Sequence, residues 1–174
     1  MRTAVVQTMR ADESVYRFNG LITVGVPLLA IFIRAFLPIR FHFVSWFELP
    51  LLVTIYFALA RRSQVAGLMT GAIIGLAQDS MTTLPIGISG IANTIVGYGA
   101  SSLSVKIDTD NPGSRALITF GFYLLYQFVY MTVARAMLQI DIDWEWRSLL
   151  LKSAANAIVA VILFAFLDHF RQKV

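Results

Sequence analysis

Six apolar blocks, each bounded by charged or turn-forming residues, constrain this chain more than any other feature. A helix of about 20 apolar residues crosses the roughly 30 Å of hydrocarbon in a bilayer. The blocks run over 18–37, 41–60, 65–78, 86–105, 116–138 and 149–167. Charged residues make up only 14% of the 174 residues, and hydrophobic residues 57%. A soluble domain carries roughly 25% charged residues. The reading is an all-α integral membrane protein with about six transmembrane helices. Residues 1–17 form an N-terminal tail, 18–168 the transmembrane domain and 169–174 a C-terminal tail. The N-terminal stretch is not a secretory signal, because Arg10, Asp12 and Glu13 interrupt it before any apolar core begins. The second block contains Glu48 and Pro50. Its helix either begins near Pro50, since proline is tolerated in a first turn, or is kinked there.

The basic residues set the orientation. With six spans the two termini share a side. That side holds Arg2, Arg10, Arg17, Arg61, Arg62, Lys106, Arg115, Arg171 and Lys173. The other holds Arg34, Arg40, Arg135, Arg147 and Lys152. Cytoplasmic loops carry the excess of Lys and Arg, so both termini are expected in the cytoplasm. Trp46, Trp144 and Trp146 then fall at the outer interface, where an aromatic belt or core packing accounts for them. The net charge of +4 is spread between apolar blocks rather than along a stripe. It therefore points to a lipid bilayer and not to nucleic acid.

Small residues mark where helices touch. Gly67, Gly71 and Gly75 are two overlapping GxxxG steps. At this spacing each step drifts only about 40° around a helix, so they form one flat face. Gly87, Gly90, Asn93, Thr94, Gly97 and Ser101 make a matching stripe on the fourth block, and Ser153, Asn156, Ala157 and Ala160 a third on the sixth. Helices in lipid associate through close packing, which small residues permit. Asn93 and Asn156 lie deep in their spans and are expected to hydrogen-bond between helices, or to line a polar cavity.

Nothing in the chain composes an active site. There is no cysteine, and His42 and His169 fall on opposite sides of the expected topology. No nucleophile elbow, zinc-protease or phosphate-loop pattern occurs. No catalytic residue, cofactor or metal site is expected, and the protein is read as a non-enzyme. Asp79, at the outer end of the glycine helix, is a candidate buried charge. It is expected to pair with Arg34 or Arg135, or to cap the next helix through backbone N–H groups. The stretch Ile140 to Arg147 alternates apolar and polar residues. An extended loop there would turn Ile140, Ile142, Trp144 and Trp146 to one side, against the interface or an extracytoplasmic partner.

The run from Gly67 to Ser102, GLMTGAIIGLAQDSMTTLPIGISGIANTIVGYGASS, resembles the MreD family of rod shape-determining membrane proteins. The resemblance rests on Gly75, Leu76, Asp79, the Pro85-Ile86-Gly87 turn and Gly97-Tyr98, and covers about a fifth of the chain. It implies a non-enzymatic component of the bacterial cell-wall elongation complex in the inner membrane. Such a protein would bind the single-span MreC and act with MreB, RodA and its penicillin-binding transpeptidase in peptidoglycan synthesis. It also implies a fold similar to the substrate-binding subunits of energy-coupling-factor vitamin transporters. Service as such a subunit is the competing function. That role needs a small-residue docking face on the first block, where Gly25 and Ala30 stand five apart on different faces.

Overall fold

A computed structural model describes residues 16–17, 20–82, 85–105, 107, 111–139, 145–170 and 172–173. Among these, six long helices account for nearly all regular structure: α1 (Gly20–Arg40), α2 (Leu49–Arg61), α3 (Gln64–Ser80), α4 (Ile88–Ser104), α5 (Pro112–Leu138) and α6 (Trp146–Asp168). A 3-10 turn, His42–Trp46, separates α1 from α2. Two short strands, β1 (Tyr16–Arg17) and β2 (Gln172–Lys173), pair antiparallel, with Tyr16 opposite Lys173. The two ends of the described chain therefore meet.

Successive helices run in opposite directions, as the contacts at their ends show. At one end of the bundle Arg61, closing α2, reaches Thr23 near the start of α1 at 3.4 Å. At the same end Arg115 of α5 pairs with Asp168 of α6. At the other end Arg34 of α1 meets Glu48 just before α2, and Asp79 of α3 meets the start of α4.

α1, α5 and α6 have 21, 27 and 23 residues and are long and apolar enough to cross a membrane. Their outward faces carry Leu21, Leu29, Phe32, Leu117, Phe128, Ile158, Ile162 and Phe166, all exposed. Apolar surface of this extent requires an apolar solvent, and lipid supplies it. α3 and α4, at 17 residues each, are shorter, and α2 has only 13. At 1.5 Å per residue α2 is about 20 Å long, well short of the hydrocarbon thickness.

The brevity of α2 follows from its position. Every residue from Pro50 to Ala60 is buried, so this helix is apolar all round and sits at the centre of the bundle. Of the two readings of the second block, the structure adopts the one in which the helix begins beside Pro50. The residues before it form the 3-10 turn instead of further helix. α5 starts four residues earlier than the apolar block, because Asn111 caps it by accepting from the Gly113 N–H at 2.9 Å and Pro112 suits a first turn.

The most intimate helix pair is α3 against α4. A methyl group at Gly71 would collide with the Asn93 carbonyl, and one at Gly67 with the Gly97 carbonyl. At Gly75 it would stand 2.5 Å from the Ser89 oxygen. Backbone meets backbone along this face. Thr94 and Ser101 turn their hydroxyls back onto the carbonyls of Gly90 and Gly97 in their own helix, at 2.6 and 2.8 Å. They leave the contact to packing alone.

Candidate functional site

The polar groups at the α1–α2 and α3–α4 ends of the bundle are assembled by three separate devices. The first is Asp79, which is only 2% exposed. Its carboxylate accepts three backbone N–H bonds, from Gly87 at 2.8 Å, Ser89 at 3.1 Å and Gly90 at 3.0 Å. These are orphan donors at the start of α4, whose own cap position is Gly87 and has no side chain to satisfy them. Asp79 is thus an N-cap delivered from the neighbouring helix, with its negative charge at the favourable end of the α4 dipole. Gly87 has a φ of 117°, a conformation open to glycine and costly for other residues.

The second device is the Arg34–Glu48 pair. Two guanidinium nitrogens, Nη2 and Nε, donate to the two Glu48 oxygens at 2.7 and 3.1 Å. The side chains are 27% and 12% exposed. Arg34 therefore serves Glu48 and not Asp79, which corrects one of the pairings expected from the sequence. The reason is geometric: Asp79 already has its acceptor capacity directed at α4. Arg135 lies in the last turn of α5, where its carbonyl accepts from the Gln139 N–H.

The third device is Asn156, fully buried in α6. Its Oδ1 accepts from the Glu48 N–H at 2.9 Å, and its Nδ2 donates to the carbonyls of Trp46 and Lys152, both at 2.8 Å. It fastens the break before α2 to α6. Asn93 is not its partner. Asn93 is equally buried, but neither its Oδ1 nor its Nδ2 finds a hydrogen bond among the described residues. The expected bond from Asn93 across the α3–α4 contact does not form, because that contact is made by backbone. Neither amide lines the cavity described next.

A cavity of about 270 Å³ lies over the start of α2, walled by α1 and α5. Arg34, Glu48, Gln78, Tyr126, Tyr130 and Lys152 are among the side chains that line it. It exists because α2 starts deep and the chain before it is drawn aside by Asn156. The opposite end of the bundle is closed by Asp168, which binds Arg115 and accepts from the Tyr56 hydroxyl at 3.1 Å.

Glu48, Gln78, Asp168 and Arg115 were not singled out by sequence reasoning. Glu48 carried a usable signal, since a carboxylate inside an apolar block requires a counter-charge and both Arg34 and Arg40 precede it on the same expected side. Of the residues in the alternating stretch, Ile140, Ile142 and Trp144 lie outside the described residues. Trp146 and Arg147 belong to the first turn of α6, so the alternating extended pattern does not reach them. Trp46 and Trp146 are both largely exposed, at 44% and 64%.

A family model described as rod shape-determining protein MreD matches residues 16–174. No curated protein and no solved structure matches the chain.

Proposed function

The chain belongs to the MreD family of rod shape-determining membrane proteins, and from that premise we propose that it is a non-enzymatic scaffold of the cell-wall elongation complex. In this reading it binds MreC directly. Through MreC it works with MreB, RodA and the penicillin-binding transpeptidase to support peptidoglycan synthesis along the cell's sides. It sits in the bacterial inner membrane with both termini in the cytoplasm, as the distribution of Lys and Arg favours.

The observation that carries the reading is the match of the family model across residues 16–174. The architecture is in keeping with it. The polar devices described above spend their bonding on holding helices together: Asp79 on α4, Asn156 on the break before α2, Asp168 on α5 and α2. The outward faces of α1 and α6 are apolar along their length, which suits a single-span partner as well as lipid.

The test is co-expression of the tagged chain with MreC from the same genome, followed by purification in mild detergent. MreC is expected to be retained through washing, and a version of MreC lacking its membrane span is expected to be lost. Purification of the chain without MreC, from cells in which it restores rod shape, would refute direct binding.

A further inference from the structure

Gln78 and Lys152 bring two contrasting polar groups to the cavity between α1 and α5, a neutral acceptor and a cation. Gln78, in the last turn of α3, is only 7% exposed, and its Oε1 has no hydrogen-bond partner among the described residues. A buried acceptor without a donor is a standing cost that a hydroxyl or amine placed in the cavity removes. Lys152, in the second turn of α6, lines the same cavity and the adjoining groove beside Gln127 and Glu145. Among the described residues its ammonium forms no ion pair or hydrogen bond. Of the other charges that line the cavity itself, Arg34 and Glu48 pair with each other through both carboxylate oxygens. Among the described residues this leaves the Lys152 ammonium and the Gln78 Oε1 available to a ligand.

That pairing calls for a ligand with an anionic group at one end and a hydroxyl at the other. The cavity, at about 270 Å³, falls just below the range of pockets for drug-sized ligands and suits something smaller. α1 and α5 wall it without packing against each other. On the same turns they expose Phe32 and Phe36, and Leu125 and Phe128. A polar slot flanked by apolar helix faces is matched to a headgroup inside and acyl chains outside. We propose that this cavity binds a phosphoglycerol group, its phosphate on Lys152 and a hydroxyl donating to Gln78 Oε1. The headgroup of phosphatidylglycerol and free glycerol 3-phosphate share this chemistry, and the lipid is favoured by the apolar flanks.

The experiment uses the full chain, purified in neutral detergent and titrated with dioleoylphosphatidylglycerol, dioleoylphosphatidylcholine and glycerol 3-phosphate, with binding read by native mass spectrometry and thermal unfolding. Phosphatidylglycerol is expected to bind about tenfold tighter than phosphatidylcholine, and Lys152→Ala to remove most of that preference. Gln78→Leu, which keeps the bulk and removes the acceptor, is expected to weaken binding several-fold. Arg147→Ala, at the same end of the bundle but exposed and away from the cavity, is expected to leave the preference intact. Saturable binding of glycerol 3-phosphate with the same dependence on Lys152 and Gln78 identifies a free solute as the ligand; binding of the lipid alone identifies the headgroup. Equal binding of the two lipids, or a preference that survives Lys152→Ala, overturns the proposal and leaves the cavity to water.

Discussion

Asp79 and Gly87 work as a pair, and the pair predicts an ordered set of variants. Asp79 directs one oxygen at Gly87 and Gly90 and the other at Ser89. Asparagine keeps one acceptor and replaces the other with an amide NH2, which would face an N–H group that also donates. Asn is therefore expected to rank between Asp and Ala, although it is a good cap at an ordinary helix start. Asp79→Ala leaves the donors buried and is expected to lower unfolding stability in detergent by about 1–3 kcal/mol. Gly87→Ala meets no atom within 4 Å, so any loss comes from its φ of 117° alone. A destabilisation of about 1–3 kcal/mol is expected there. Equal stability of Asp79→Asn and the parent chain would show that the third bond carries no weight. Asp79 was legible in the sequence because its partners lie 8 to 11 residues away, across one turn. Asp168 was not, because Tyr56 and Arg115 stand 112 and 53 residues from it and no local pattern links them.

The helices themselves were largely written in the apolar blocks, and the differences fall where a cap or a neighbour overrides hydropathy. α1 runs on through Pro38 to Arg40, and α5 is extended at its start by the Asn111-Pro112 cap. The second block left two readings open, and the one with a start near Pro50 holds: its apolar residues reach back to Phe41, but Asn156 from α6 bonds the backbone at Trp46 and Glu48, and the helix begins beside Pro50. A bond spanning 108 residues leaves no trace in a local window. The glycine face was legible because its spacing is a property of one helix. Its partner atoms were not: the contact proves to be carbonyl on Cα, and not an amide bond from Asn93. This distinction makes glycines in different helices unequal. Gly71→Ala would drive a methyl into the Asn93 carbonyl, and overpacking of this kind costs about 1–3 kcal/mol. Gly121→Ala in α5 meets nothing within 4 Å and is expected to be neutral or slightly stabilising. Thermal unfolding of the two variants side by side is the check, and similar losses for both would remove the packing explanation.

At the scale of the whole molecule, six antiparallel helices with β1 against β2 put both described ends of the chain on one side of the bundle. That side also carries Arg61, Arg62 and Arg115, while Glu48, Asp79 and the cavity with Lys152 lie at the other. The bundle thus has a basic end near its termini and an end where carboxylates, a cavity and the exposed Trp46 and Trp146 gather. The helix directions fix which groups share an end. Only the excess of Lys and Arg selects which end faces the cytoplasm. A chain without cysteine allows that choice to be read directly. Gln64 opens α3 at the basic end and Glu145 precedes α6 at the other, and both are exposed. In intact cells a cysteine at Glu145 is expected to react with an impermeant maleimide once the reagent reaches the outer face of the membrane. A cysteine at Gln64 is expected to react only after the membrane is broken. Labelling of Gln64 alone in intact cells would invert the molecule and place the phosphoglycerol cavity on the cytoplasmic leaflet. Labelling of both without lysis would mean that α3 and α6 do not begin on opposite sides of the membrane, against the alternation that the Asp79 and Arg34 contacts impose on their neighbours.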